Sequence, residues 1–404
     1  MKILHTSDWH LGQKFINNER KQENKKVLDW LLKVIDDEEI DLLLIAGDIF
    51  DTMNPPNYAR TLYYNFLTKL EQTNCKYTVI VGGNHDSPST LNAPKELLRT
   101  KNIFVVGNVP EKLEDEVITL QNKAGEIEAV IAAVPYLRDV DIRQSVAGEL
   151  YEDRSERIRT GIKNHYHQLA EHLKQYEQLN VPLIATGHLF AAKAEDNKTS
   201  RIYIGNIENI DVDDFPAIFD YVALGHIHKA QRVYYKNHIR YSGSLIPLSF
   251  KEIGEGNEKS VYVLEFDGRT FEKKTIKVPT QRRLIKIEGS YEEVTAQLLA
   301  LEIPKNELEA WLEIIILTEK TIPNLVENLK ALVKGKHVEI LNFKLQSTIS
   351  KSLKKMEAQD LKTMDETEIF DKLLDVHKID KENKEILKQT YAELLNSMEE
   401  QDIE

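Results

Sequence analysis

The chain of 404 residues has one cysteine, Cys75. No disulfide can form within it, and a reducing cytoplasm is the expected compartment. The shortage of thiolate also argues against a structural zinc site or an iron–sulfur cluster. No apolar run approaches the roughly 18–20 residues of a membrane span. The opening MKILHTSDWH enters a strand directly and has no charged stretch followed by an apolar one, so no secretion signal is expected. Positive charge is in deficit, with a formal net charge of -13. That argues against a chain that wraps nucleic acid by itself, though a local basic groove or a basic partner remains compatible with it. Internal repeats and low-complexity segments are absent as well.

The composition is 41% hydrophobic and 29% charged, as in soluble globular proteins. The length exceeds what one core usually serves, so two or three units are expected. Up to about residue 275, strand and helix patterns alternate. ILHTSD, IDLLLIAGD, YTVIV, VPLIATGH, YVALGHIH, IRYSGS and SVYVLEF read as strands, several continuously apolar and therefore buried on both faces. Val27, Leu28, Leu31, Leu32 and Ile35 share one helical face, as do Tyr58, Leu62, Tyr63, Phe66, Leu67 and Leu70. Together these predict a layered α/β core over 1–275, built as a mixed-sheet sandwich. A small β-α-β-α-β domain is predicted over 281–346, from LIKIEG through WLEIIILT to HVEILNFKL. The segment 347–404 is polar and helical. It has two short apolar stripes, Phe370/Leu373/Leu374 and Leu387/Tyr391/Leu394/Leu395, and reads as a helical hairpin with too little apolar surface for a core of its own.

Five predicted strands end alike. Asp8 and His10 follow the first, Gly47 and Asp48 the second, and Asn84, His85 and Asp86 the third; Gly187 and His188, then Gly225, His226 and His228, follow two later ones. Each is an apolar strand, usually a glycine, then a side chain able to bind metal. Turn chemistry explains any one of them alone. GHIH is the most specific, because i, i+2 spacing puts both imidazoles on one side of an extended segment. In α/β sheets ligands bind beyond the carboxyl ends of strands, so the five ends can converge.

Asp8, His10, Asp48, Asn84, His188, His226 and His228 offer two carboxylates, one amide oxygen and four imidazoles. That is too many for one tetrahedral ion and suits two ions sharing a bridge, for which Asp48 is the natural candidate. Mixed imidazole and oxygen donors favour Mn²⁺, Fe or Zn over Mg²⁺. Such a pair stays net positive, attracts phosphate, lowers the pKa of a bound water and steadies the pentavalent phosphorus. His85 is expected to face the scissile phosphate as general acid or charge stabiliser. Asp86 is expected to orient the turn or His85 from behind. His5 reads as a core histidine, and His165 and His167 as solvent-facing. Arg282, Arg283 and Lys286 fit either a solvated junction or contacts to an anionic partner.

D-W-H, G-D-I-F-D, G-N-H-D, G-H and G-H-I-H resemble the motifs of the calcineurin-like metallophosphoesterase superfamily. Within it, MKILHTSDWHLG, LIAGDIFD, VGGNHDSP, GHIH and YSGSLIPLSF resemble the SbcD family of nuclease subunits. The resemblance is close over the phosphoesterase domain and looser beyond it. It implies a four-layer α-β-β-α sandwich, a small α+β capping domain that touches DNA (281–346), and C-terminal helices (347–404) that dock on an SbcC-type ATPase. It implies that Asp8, His10, Asp48 and His228 hold one metal, that Asp48, Asn84, His188 and His226 hold the other, and that Mn²⁺ is the activator. The implied activities are 3′–5′ exonuclease action on duplex ends and endonuclease action on single strands and hairpins, in DNA end processing, repair and recombination. Also implied are a nuclease dimer through Tyr58–Leu70 and Thr90–Leu98, a heterotetramer with two copies of the ATPase, and a place at the nucleoid. Relatives differ at Asp51, which is at most a supporting residue.

Two alternatives remain compatible with the residues. Another enzyme of the superfamily is one, although protein phosphatases usually carry Arg where Thr52 stands and end the third motif in Glu rather than Asp86. A non-catalytic DNA-end tether is the other, although all seven ligand positions and His85 are present.

Overall fold

The computed structural model describes residues 1–142, 151–192, 209–304, 308–318 and 322–346, together with 374, 384, 387, 388, 390 and 391. The chain divides into two compact units, Met1–Arg283 and Leu284–Glu404.

The main strands of the first unit are, in chain order, β1 (Lys2–Thr6), β2 (Leu42–Ala46), β3 (Tyr77–Val81), β4 (Ile103–Val106), β5 (Val117–Gln121), β6 (Ile127–Ala132), β7 (Leu183–His188), β8 (Tyr221–Gly225), β9 (Gln231–Val233), β10 (Lys236–Tyr241), β11 (Ser260–Asp267) and β12 (Thr270–Lys277). They form two six-stranded sheets. The first has the order β12-β11-β1-β2-β3-β4, with β1 to β4 parallel. The second has the order β9-β10-β8-β7-β6-β5, with β6, β7, β8 and β10 parallel.

The period-2 alternation of the strands assigns their faces. Leu42, Leu44, Tyr77, Val79 and Val81 point inward and meet Ile118, Leu120, Ala129, Ile131, Ile184, Tyr221 and Ala223 of the second sheet. Leu43, Ile45 and Ile80 point outward, under α1 (Lys21–Asp37) and α2 (Asn57–Leu70). Val130, Ala132, Leu183, Ala185, Val222 and Leu224 point outward on the other side, under Ile158, Ile162, Tyr166 and Leu169 of α3 (Tyr151–Leu173). The result is α-β-β-α, which is why β2, β3 and β8 are buried along their whole length.

Some local expectations need correction. The segment Thr90–Leu98 is two short helices, Pro88–Asn92 and Lys95–Arg99, broken at Pro94, which lacks the N–H a continuous helix needs. His165 is buried rather than solvent-facing, and its Nε2 lies 2.8 Å from Oε2 of the buried Glu116. His167 is exposed, and His5 is a core residue with Nδ1 2.9 Å from the Tyr221 hydroxyl. Arg282 donates to Glu23 Oε1 at 3.0 Å, and Glu23, fully buried, also accepts from Arg20 at 3.2 Å.

In the second unit β13 (Arg282–Gly289), β14 (Leu308–Leu317) and β15 (Val338–Gln346) form a three-stranded sheet in that order, with β14 and β15 parallel. Helices α4 (Tyr291–Ala300) and α5 (Leu325–Val333) pack Val294, Leu298, Leu325, Leu329 and Val333 against Leu312, Ile314 and Ile316. Ser290 begins α4 with a capping box to Glu293. Of the helical hairpin expected over 347–404, only 374, 384, 387, 388, 390 and 391 are described, each of them helical, and the rest lies outside the described residues. Among the described residues, no helix is long and apolar enough to cross a membrane.

Candidate metal centre

The five strand ends meet at one edge of the sandwich. Parallel β1, β2 and β3 deliver Asp8, His10, Asp48, Asn84 and His85; parallel β7 and β8 deliver His188, His226 and His228. The turns after β1 and β2 are laced by main-chain hydrogen bonds: Asp8 N to Gly47 O at 3.0 Å, His10 N to Asp48 O at 3.0 Å and Leu11 N to Ile49 O at 2.9 Å. To follow this path Asp8, His10 and Asp48 adopt left-handed backbone (φ 52, 44 and 50°), and His226 also has positive φ, at 97°. Each costs about 1–2 kcal/mol in a non-glycine residue, so the surrounding structure must hold them there. The sheets also come very close at this edge. A Cβ on Gly83 would overlap the Asp48 carboxylate and amide, and one on Gly225 would overlap the Ala46 carbonyl of the opposite sheet. Only glycine fits either place.

The carboxylates are deeply buried, Asp8 at 0% and Asp48 at 1% exposure. Asp48 Oδ1 accepts from His85 N at 2.9 Å, while Oδ2 lies 3.4 Å from His10 Nε2 and 3.2 Å from His188 Nε2. One carboxylate oxygen thus sits between an imidazole of the first sheet and one of the second. Asn84 Oδ1 lies 3.0 Å from His188 Nε2 and 3.1 Å from His226 Nδ1. Asp8 Oδ1 accepts from His226 N at 2.9 Å, and its other oxygen from Ser7 Oγ. Burial opposes ionisation of Asp48, but His188, then His10 and His85, hold it well below the usual carboxylate range. Burial likewise opposes charge on His188, yet Asp48 beside it pushes it up to about 9. His226, buried and next to His188, falls to about 4.

Nearly every ring is aimed by its Nδ1. His188 Nδ1 donates to Ala46 O (2.9 Å), His10 Nδ1 to Asp51 Oδ1 (3.1 Å), His228 Nδ1 to Glu252 Oε1 (3.3 Å) and His85 Nδ1 to Asp51 O (2.7 Å). An acceptor on Nδ1 fixes the tautomer of the neutral ring and makes Nε2 the nitrogen that a metal would take, displacing the second proton where, as at His188, the ring is charged. His10 Nε2 is buried with no hydrogen-bond partner. A buried imidazole nitrogen facing a carboxylate, with nothing to donate to it, is what a divalent ion would complete. Asp8, His10 and His228 gather close enough to share an ion, as do Asp8, Asp48 and His188, and His10, Asp51 and His85. The donor set, imidazole with carboxylate and amide oxygen, therefore fits divalent metal. His85 is the exposed member of the group.

Behind the turns, Asp86 accepts from Gly83 N (2.9 Å), Ile49 N (3.1 Å) and Phe50 N (2.9 Å), clamping the third turn to the second. Burial first, then Asp48, pushes it up to about 6 against those three donors. The sequence reading missed Glu252 and Lys259. Both lie in KEIGEGNEKS, whose charge density reads as a solvated loop, and no pattern marks them. Burial raises Glu252, but His228 and Lys259 hold it at about 2.

The profile described as calcineurin-like phosphoesterase matches residues 1–230. A second, described as type 5 capsule protein repressor C-terminal domain, matches residues 280–378. Among curated proteins, the chain is 34% identical over 405 residues to the D subunit of the SbcCD nuclease of Escherichia coli (strain K12), covering 98% of each chain. It is 34% identical over 268 residues to the corresponding SbcCD nuclease chain of Bacillus subtilis (strain 168), covering 66% of each.

Proposed function

The chain belongs to the calcineurin-like phosphoesterases and, within them, to the SbcD family of SbcCD nuclease chains, and from that premise we propose that it is a Mn²⁺-dependent DNA nuclease working with an SbcC-type ATPase. It is a metal-dependent phosphodiesterase. Its activities on this reading are 3′–5′ exonuclease action on duplex ends and endonuclease action on single strands and hairpins. The observation that carries the reading is the Asp48 carboxylate oxygen lying between His10 Nε2 and His188 Nε2, where it can bridge two ions.

Asp8, His10, Asp48 and His228 would hold one ion, and Asp48, Asn84, His188 and His226 the other. When bound, the pair supplies Lewis acidity toward the phosphate and an ionised water at neutral pH. The protein's own work is positional. Asp86 and the main-chain lacing fix the turns. Asn84 contributes a neutral oxygen and so leaves the centre positive for an anionic substrate. His85, exposed and anchored through Nδ1, can as the imidazolium donate its Nε2 proton to the leaving oxygen or neutralise charge on the phosphate. The unit from Leu284 is proposed to touch DNA, and 347–404 to dock on the ATPase. Assembly as a heterotetramer of two nuclease and two ATPase chains in the cytoplasm, at the nucleoid, belongs to the same reading.

The test is cleavage of an end-labelled DNA hairpin with Mn²⁺, Mg²⁺ or EDTA, beside His85→Ala. Mn²⁺-dependent cutting is expected, reduced on the order of 10²–10⁴-fold in the variant, with two ions still bound. No cutting by the wild type with or without SbcC and ATP would overturn the DNA reading. A fall in metal content in step with activity would overturn the role of His85.

A further inference from the structure

We propose that Glu252 and Lys259 are positioning residues that aim His228 into the centre, an inference that rests on the two-metal reading above. His228 differs from the other rings in where it stands. His188 is the last residue of β7, with its Nδ1 within reach of the carbonyl at the end of β2 in the opposite sheet. His228 lies three residues past the end of β8, on a loop, with its side chain 29% exposed. No ladder partner holds it there.

The segment between β10 and β11 takes that place. Glu252 Oε1 is 3.3 Å from His228 Nδ1, and Lys259 Nζ is 2.7 Å from the His228 carbonyl. Lys259 Nζ also lies 2.7 Å from Glu252 Oε2 and 2.8 Å from Ser244 Oγ, so all three ammonium protons have acceptors. His228 is thus gripped at its ring and at its backbone, and the two gripping groups are bonded to each other, closing a ring of contacts. Ser244 N at 3.2 Å from the His228 carbonyl and Leu248 N at 3.2 Å from Glu252 Oε2 complete it.

A buried lysine needs a reason. Lys259 is 8% exposed, and an apolar pair of similar volume would often be as stable or more so. A salt bridge here does what an apolar pair cannot. It gives Nδ1 a charged acceptor, fixes the tautomer and leaves Nε2 as the lone pair for an ion shared with Asp8 and His10.

The experiment is Mn²⁺ titration of the full chain by calorimetry and electron paramagnetic resonance. It would compare wild type, Glu252→Gln and the double variant Glu252→Leu/Lys259→Met, which leaves no buried charge unpaired. Wild type is expected to bind two ions with a spin-coupled signal. In the variants one ion should bind about 10–100-fold more weakly and the other unchanged. The coupled signal should be lost at Mn²⁺ concentrations that saturate wild type, and cleavage should recover as Mn²⁺ is raised. Two ions bound as tightly in folded variants as in wild type would overturn the positioning role alone. No Mn²⁺ bound by wild type would overturn the two-metal reading with it. Failure of both variants to fold would assign the pair to structure only and overturn the proposal as well.

Discussion

The two sheets contribute unlike halves of the candidate centre. The first supplies both carboxylates and the amide, Asp8, Asp48 and Asn84, whereas the second supplies imidazoles only, His188, His226 and His228. They are held differently too. On the first-sheet side the backbone does the placing, through left-handed residues and main-chain bonds between adjacent turns. On the second-sheet side His226 alone of the three has positive φ, and acceptors aim the rings, as Asp51 does for His10 and His85: the Ala46 carbonyl for His188, Asn84 for His226 and Glu252 for His228. Buried carboxylates repel one another, and only a stiff backbone keeps them together. An imidazole is neutral when it binds metal and needs one hydrogen bond to choose its tautomer.

If that division holds, the largest effect belongs to the first sheet. Asp48→Ala should abolish binding of both ions and lower hairpin cleavage on the order of 10³-fold or more, since the whole two-metal contribution goes with it. Metal analysis of the purified variant checks this, and one ion bound at full affinity would break the comparison. His226→Ala, on the second sheet, should weaken one ion only and lower cleavage by roughly 10²-fold, with partial rescue by added imidazole or Mn²⁺. Loss of both ions there would make the halves equivalent. The smallest effect lies outside both. Glu116→Gln should cost about 1–3 kcal/mol of stability in urea unfolding, because it weakens a buried pair with His165. Activity per folded molecule should not change.

The sequence made the cluster of strand ends legible because each contributing strand is a buried, largely apolar run that ends at, or just before, His, Asp or Asn. Burial on both faces writes itself as LLLIA and YVALG, and the chemistry begins where the run ends. The β-α-β-α-β pattern of the second unit was readable for a similar reason, since the period changes from 2 to 3.6 and back at Gly289–Tyr291 and beyond Leu317. What was not readable depends on partners distant in sequence. His165 looks solvated until Glu116 is placed against it, and Glu252 and Lys259 look like a surface loop until His228 arrives between them. Arg282 looks free for phosphate until Glu23 is found buried beside it. Pro94 was visible, but the expectation of one helix over Thr90–Leu98 rests on the resemblance alone, and Pro94 splits it.

The lacing of the first two turns is made of peptide groups, so it survives exchange of Asp8 or Asp48 for asparagine, which tolerates the same left-handed backbone. A chain that has lost a carboxylate there should keep its turns, and it sheds a buried charge in the exchange. Such a protein would be inert yet long-lived. Wherever the chain assembles with copies of itself, the defective copy would take a place that a working one needs. Alleles of this kind should therefore behave as dominant, whereas changes at Gly83 or Gly225, which the crowded edge cannot absorb, should destroy the protein and behave as simple losses.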